Sequence, residues 1–257
     1  MTGRRHLIIP DVQIKPGDDT THLTWAANAI LKYRPDVIVV LGDWWDMPSL
    51  STHDGPGSKE AEGARVQNDI DAGIQAWDDF WHPIEIEQLR VASNRKKQYR
   101  PECHFLFGNH EDRITRALFR DPKWDGILSL DSLKTPTCFA RHPFLKIVNV
   151  DGIKFCHFFP NPFSGRPIGG TIPNRLSHIG SSFVQGHQQG HMYGSKAYPD
   201  CTKHGIVCGR FYTRNEHYRP EDIQNVEWNG IIMLNGVHGG DFDIMPLRID
   251  YLRREFS

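Results

Sequence analysis

Five short polar blocks carry the side chains in this chain that can do chemistry, and each follows an apolar run. The densest is Gly108-Asn109-His110-Glu111-Asp112, directly after Phe105-Leu106-Phe107. An Asn beside a His offers a neutral oxygen ligand and an imidazole at one point. Gly42-Asp43-Trp44-Trp45-Asp46 follows Val37-Ile38-Val39-Val40-Leu41, and Asp11-Val12-Gln13 follows Leu7-Ile8-Ile9-Pro10. His157 closes Phe155-Cys156, and Gly186-His187-Gln188-Gln189-Gly190-His191 follows the run from Ser182 to Gln185. The apolar runs read as buried strands. The polar bursts read as loops at their C-terminal ends, where open α/β sheets bind ligands. Strand ends that bear metal-competent side chains together predict one polynuclear metal site.

In order and content these blocks resemble the calcineurin-like metallophosphoesterases. That family's pattern runs D-x-H, G-D-x-x-D, G-N-H-[DE], a lone H, then G-H-x-H. The match extends from Asp11 to Gln189, most of the chain. The resemblance implies an α/β fold, a four-layer αββα sandwich with two mixed β-sheets. It implies a single domain over 1–257, with a helical insert at about 58–100, and a centre of two divalent metal ions. Asp11 would ligate the first metal, Asp43 would bridge both, and Asn109, His157 and His187 would complete the second. His110 would not be a ligand but would sit beside the leaving-group oxygen, oriented by a hydrogen bond to Asp46. The implied activity is hydrolysis of phosphodiester or phosphomonoester bonds by a metal-bridging hydroxide. Compact bacterial and phage members lead to the expectation of a nucleotide or nucleic-acid substrate. The alternatives are a phosphatase of proteins or small molecules, and a catalytically silent scaffold on the same fold.

Elementary chemistry asks for the same parts. Two divalent cations about 3.5–4 Å apart clamp the attacking and leaving oxygens of an in-line displacement. A shared carboxylate is needed to spread negative charge between them. A histidine next to a carboxylate has its tautomer fixed and its pKa raised, which suits it to protonate a departing alkoxide.

The chain departs from the family pattern at two first-metal positions, Gln13 and Gln189, where the family has His. An amide oxygen is a weaker ligand than imidazole. The expected first site is therefore all-oxygen: Asp11, Gln13, Asp43 and Gln189. Such a site favours Mn²⁺ or Mg²⁺ over Zn²⁺, with Mn²⁺ the leading expectation and Fe or Zn²⁺ as other candidates. His191 is an alternative to Gln189. Met47 stands where related protein phosphatases carry a phosphate-binding Arg, which argues against a serine/threonine phosphatase of that kind. Arg113 and Arg116 lie close enough to His110 to reach a phosphate, and Arg113 is taken as the candidate substrate-binding residue. A solvated helix face explains both equally well.

The elements that must position these groups follow from periodicity. His6 to Pro10 reads as a strand, Thr21 to Tyr33 as a helix ended by Arg34-Pro35, and Asp36 to Leu41 as a second strand. This order predicts a parallel pair with a right-handed crossover. Ser49 to Ser58 reads as a loop. Glu60 to Gln98 reads as two helices broken at Pro83. Ile70, Ile74 and Trp77 face inward on the first, and Ile86, Leu89 and Ala92 on the second. Arg95-Lys96-Lys97 suits a helix C-terminus. His104 to Phe107 is the third strand and Arg113 to Phe119 a short helix. Asp151-Gly152 marks a hairpin between Phe144–Val150 and Ile153–Phe158. Asn174 to Ile179 reads as helix, and His204–Phe211, Gly230–Leu234 and Asp243–Tyr251 as strands.

Other features take plain readings. Glu111 and Asp112 offset a helix dipole. One of Trp44 and Trp45 packs in the core, while the other is offered as a base-stacking surface. Arg166, Arg175, Arg210 and Tyr212 are weaker phosphate candidates. The remaining histidines are surface or structural, and His53 is the one worth testing. The 257 residues carry 30 Lys and Arg against 31 Asp and Glu, which makes a purely architectural nucleic-acid binder a poor fit. The five cysteines are odd in number and form no C-x-x-C pair, so reduced thiols in a cytoplasmic protein are expected. No apolar run approaches the ~20 residues of a membrane span, and the residues after Met1 do not read as a secretion signal.

Overall fold

The computed structural model describes residues 3–51, 63–94, 97–215 and 227–257. Sheet I is built on three hydrophobic runs: β1 (Arg4–Ile9), β2 (Val37–Val40) and β3 (Glu102–Leu106), joined by β4 (Phe139–His142). All four are parallel neighbours. On the other side of β1 the sheet continues antiparallel through β10 (Gly230–His238) and β11 (Asp241–Arg248), giving the order β11-β10-β1-β2-β3-β4. Sheet II has the order β5-β6-β7-β9-β8. Its strands are β5 (Val148–Val150), β6 (Ile153–Cys156), β7 (Phe183–Gln185), β8 (His191–Ala197) and β9 (Thr202–Cys208). β6, β7 and β9 run parallel, while β5 and β8 are antiparallel edges. The chain is thus α/β with two mixed sheets and, among the described residues, five α-helices.

Strands buried on both faces need two covers, and both sheets have them. Ile8, Val39, Leu41 and Leu106 of sheet I pack against Phe155, Val184 and Ile206 of sheet II in one apolar cluster between the sheets. The outer face of sheet I is covered by α1 (Thr21–Tyr33), α2 (Val66–Ser93) and a C-terminal helix, α5 (Ile249–Phe256). The outer face of sheet II is covered by α4 (Ile172–Ile179) through Ile172 and Leu176. The remaining helix, α3 (Arg113–Arg120), directly follows the Asn109-His110 loop.

Several sequence expectations hold. α1 stops at Arg34, which takes a left-handed φ of 48° before Pro35. The Asp151-Gly152 turn joins β5 and β6, with φ of 51° and 88° at its two residues, as a primed hairpin turn requires. Others are corrected. α2 runs unbroken through Pro83. The ~3 kcal/mol cost of an internal proline is offset because Trp77, Phe80, Trp81 and Ile84, on both sides of it, are all buried. The inward face of its second half is Ile84 and Val91, whereas Ile86 and Leu89 are exposed. The predicted last strand stops at Arg248, so Tyr251 lies on α5. β4 and β8 carry no strong alternation and were not anticipated. His53, Arg95 and Lys96, and much of the Ser49–Ser58 loop, lie outside the described residues. No helix among the described residues is long and apolar enough to cross a membrane.

Candidate metal centre

The C-terminal ends of β1, β2, β3, β6 and β7 converge on one point between the sheets. Asp11 follows β1, Asp43 follows β2, Asn109 and His110 follow β3, His157 follows β6 and His187 follows β7. Ligand atoms of Asp43, His157 and His187 all lie within 4.8 Å of one another. Asn109 Oδ1 sits among them, 2.9 Å from His157 Nε2 and 2.7 Å from His187 Nδ1. Asp43 Oδ2 is 3.4 Å from His157 Nε2. The sequence-predicted ligands of the second metal are therefore brought together.

Close approach is achieved with glycines and left-handed backbone. A Cβ on Gly108 would overlap the Asp43 carboxylate, so only glycine admits that side chain beside the β3 loop. A Cβ on Gly186 would fall 2.5 Å from Asp11 Oδ1 in the same way. Gln13, Asp43, Met47 and His187 all adopt positive φ, between 49° and 65°. Each such non-glycine residue costs on the order of 1 kcal/mol or more, and such strain concentrates at functional sites.

Hydrogen bonding fixes how each group is presented. His157 Nδ1 donates to the Leu41 carbonyl at 2.8 Å, which turns Nε2 toward Asp43 and Asn109. A second partner of this kind is what orients the imidazole of a metal ligand. Nε2 lies 2.9 Å from Asn109 Oδ1 and 3.4 Å from Asp43 Oδ2. Burial opposes a charge on the ring, but Asp43, Asp11 and the Leu41 carbonyl together more than compensate and lift its pKa to about 9. The Asp43 carboxyl is held below the usual range, because His157 and His110 outweigh its burial. His187 is pushed down to about 4 by burial and by the nearby His157 charge. An imidazole that holds a proton beside Asp43 would have to release it to bind a cation.

Asp11 lies deep beside this group. Its Oδ1 accepts from the His187 backbone N–H at 3.0 Å, while Oδ2 is buried with no hydrogen-bond partner among the described residues. Burial and the Asp43 charge raise its pKa to about 7. Two buried carboxylates that repel each other, one with an unsatisfied oxygen, fit a cation between them. The two glutamines are adjacent: Gln189 Nε2 donates to Gln13 Oε1 at 3.4 Å, and the Tyr212 hydroxyl donates to Gln189 Oε1 at 2.8 Å. His191 is elsewhere engaged, its Nδ1 donating to the Val207 carbonyl at 3.0 Å and its ring stacked on Trp228. That arrangement favours Gln189 over His191 as the residue at the first position.

His110 lies between the cluster and Asp46. Its Nδ1 donates to Asp46 Oδ1 at 2.7 Å, and Nε2 is 3.7 Å from Asp43 Oδ2. Burial lowers its pKa, but Asp43 and Asp46 more than compensate and raise it. The Arg113 Nη1 donates to the carbonyls of Asp46 at 2.7 Å and Met47 at 3.1 Å, so it holds the loop that carries Asp46. Arg116 Nη2 donates to the Asn109 carbonyl at 2.5 Å. No family model matches the sequence, and no curated protein matches it. Among solved structures, one crystal structure aligns over 95% of this chain and 98% of its own, at 13% identity and a TM-score of 0.36. A likeness that slight carries no argument about fold or function.

Sequence reasoning misses Lys15 and Arg214 altogether and gives Glu111 and Tyr212 other roles. Glu111 is fully buried. Its Oε2 accepts from the backbone N–H groups of Gly108 and Asp43, and Oε1 from that of Trp45. It pins the β2 loop to the β3 loop and does far more than offset a helix dipole. Lys15, Tyr212 and Arg214 arrive from loops with no periodic signal. Neither tryptophan of the β2 loop is available to a base. Trp44 and Trp45 are both fully buried: Trp44 stacks on Trp77 at 3.9 Å, and their indole N–H groups donate to Gly73 and Ile70 carbonyls of α2. Arg175 is buried and donates to Gln188 Oε1 at 2.8 Å, and Arg210 lies over the Tyr212 ring.

Proposed function

We propose that the protein is a divalent-metal-dependent phosphoesterase of the calcineurin-like metallophosphoesterase type, acting on a phosphodiester or phosphomonoester of a nucleotide or nucleic acid. One observation carries the reading. Ligand atoms of Asp43, His157 and His187, from three strand ends, lie within 4.8 Å of one another, Asn109 Oδ1 from a fourth is within 2.9 Å of both imidazoles, and the His110–Asp46 pair is directly beside them.

Asp43, Asn109, His157 and His187 would hold one cation, and Asp11, Gln13, Asp43 and Gln189 a second, harder one. Bound cations would neutralise phosphate charge and acidify water at the site. His110, kept in one tautomer by Asp46, would donate a proton to the leaving oxygen. Leu41 and Glu111 would keep His157 and Asp43 aimed without rearrangement. The convergence of Asp11, Asp43, Asn109, His157 and His187 at the ends of five strands, in the order of the family pattern, supports this assignment over an unrelated metal site.

The test is turnover of bis(p-nitrophenyl) phosphate and p-nitrophenyl phosphate by protein stripped of metal and then supplied with Mn²⁺. Hydrolysis should require the metal and be lost in Asp43→Asn. Absence of turnover with any divalent cation, alongside intact metal binding, would leave the silent scaffold as the better reading.

A further inference from the structure

Beyond His110, on the side away from Asp43, two cations from distant parts of the chain meet on a single carboxylate oxygen. Lys15 Nζ is 3.0 Å from Asp46 Oδ2, and Arg214 Nη2 is 3.3 Å from the same atom. The pair is built in. Asp18 Oδ2 accepts from the Lys15 backbone N–H at 2.8 Å and from Arg214 Nη1 at 2.7 Å, so one carboxylate fixes both residues. The Arg214 guanidinium also lies 4.6 Å over the Tyr212 ring, whose hydroxyl reaches Gln189. Arg214 therefore spans the two walls of the site, touching Asp46 on one and Tyr212 on the other. Lys15, two residues after Gln13, closes the rim between them.

The charge here exceeds what orienting His110 requires. Asp46 needs only one oxygen for His110, and Arg113 already lies 3.5 Å from that oxygen. Among the described residues, three cations (Lys15, Arg113, Arg214) lie within 3.5 Å of the Asp46 carboxylate. Both rim side chains keep partial solvent access, 29% for Lys15 and 17% for Arg214. A guanidinium next to an ammonium, pre-ordered at a site mouth, suits a phosphate's several oxygens.

We propose that Lys15 and Arg214 form a clamp for a second anionic group, a phosphate on the leaving-group side of the ester being cleaved. The substrate class would then be an ester with a neighbouring phosphate, as in a nucleic-acid strand or a nucleoside bisphosphate, and not an isolated monoester. This rests on the phosphoesterase reading of the adjoining centre.

The experiment compares binding of adenosine 3′,5′-bisphosphate and adenosine 5′-monophosphate by calorimetry in Mn²⁺-containing buffer. The two phosphates of the bisphosphate are not adjacent and the monophosphate has only one, so neither sequesters the metal as a pyrophosphate would. The wild type should prefer the bisphosphate by roughly tenfold or more. Lys15→Gln and Arg214→Gln should each remove most of that preference, and Arg214→Lys should retain part of it. Melting temperature and Mn²⁺ uptake, measured on every variant, separate loss of the clamp from loss of the fold. A wild type without preference, or a preference that survives both Gln variants, overturns the clamp. Failure of the metal-centre reading would register differently, as absent Mn²⁺ uptake in wild type and variants alike.

Discussion

His110 Nδ1 lies 2.7 Å from Asp46 Oδ1 and 2.8 Å from the Asp46 carbonyl oxygen. Both acceptors belong to one residue, so the ring is held at a single nitrogen while Nε2 faces the Asp43 side. A proton donor arranged this way matters in proportion to how poor the leaving group is. His110→Ala should lower kcat by roughly 10²–10⁴-fold on an alkyl phosphate ester. The loss should be much smaller on a p-nitrophenyl ester, whose leaving group needs no proton. Mn²⁺ affinity should change little, because His110 is not placed as a ligand. Equal losses on both esters would remove His110 from the proton-donor role.

The Gln13–Gln189 pair predicts unequal metal sites. Protein dialysed against trace Zn²⁺ should retain one ion per chain, held by the two-imidazole set. Gln13→His combined with Gln189→His should raise this to two, because imidazole binds borderline-soft cations better than an amide oxygen does. Elemental analysis after dialysis reads the stoichiometry. Two tightly held zinc ions in the wild type would refute the oxygen-rich first site.

Glu111 should be worth more to stability than its surroundings suggest. Three backbone N–H groups, from Gly108, Asp43 and Trp45, end on its carboxylate in a fully buried position. Glu111→Ala strands all three and should cost on the order of 3 kcal/mol or more. Glu111→Gln can keep the two bonds to Oε2 but presents an amide N–H to Trp45 in place of Oε1, and should fall between. Urea denaturation gives the order. A Glu111→Ala protein as stable as wild type would deny the carboxylate this role.

His22 predicts part of the pH dependence of stability. It is buried on α1 against Phe211, and burial pushes its pKa down to about 4. In the unfolded chain the imidazole protonates near 6.5. Between those values the unfolded state binds a proton that the folded state refuses. Stability therefore falls as pH drops from 6.5 toward 4 and levels off below it. At pH 5 the loss relative to pH 8 is about 2 kcal/mol. His22→Phe should flatten this component in denaturation curves at the two pH values. Equal drops in wild type and variant would assign the acid sensitivity to other groups.

The sequence alone determined which strand ends carry the clustered polar side chains. Apolar runs before Asp11, Asp43, Asn109, His157 and His187 mark buried strands, and the polar side chains just past them have to emerge at the strands' C-terminal ends. The α1 boundary at Pro35 and the Asp151-Gly152 hairpin were legible for the same reason, since each depends on local backbone sterics. Packing energy was not legible. Pro83 reads as a break because a proline removes one hydrogen bond, but the aromatic residues of α2 on both sides of it outweigh that loss once sheet I is there to receive them. Only the tertiary structure decided that Glu111 is a buried clamp, that Trp44 and Trp45 both belong to the core, and that Lys15 meets Arg214 at Asp46. Those relationships join residues from about 20 to 200 positions apart, and no periodicity records which loops a folded sheet will bring to the same edge.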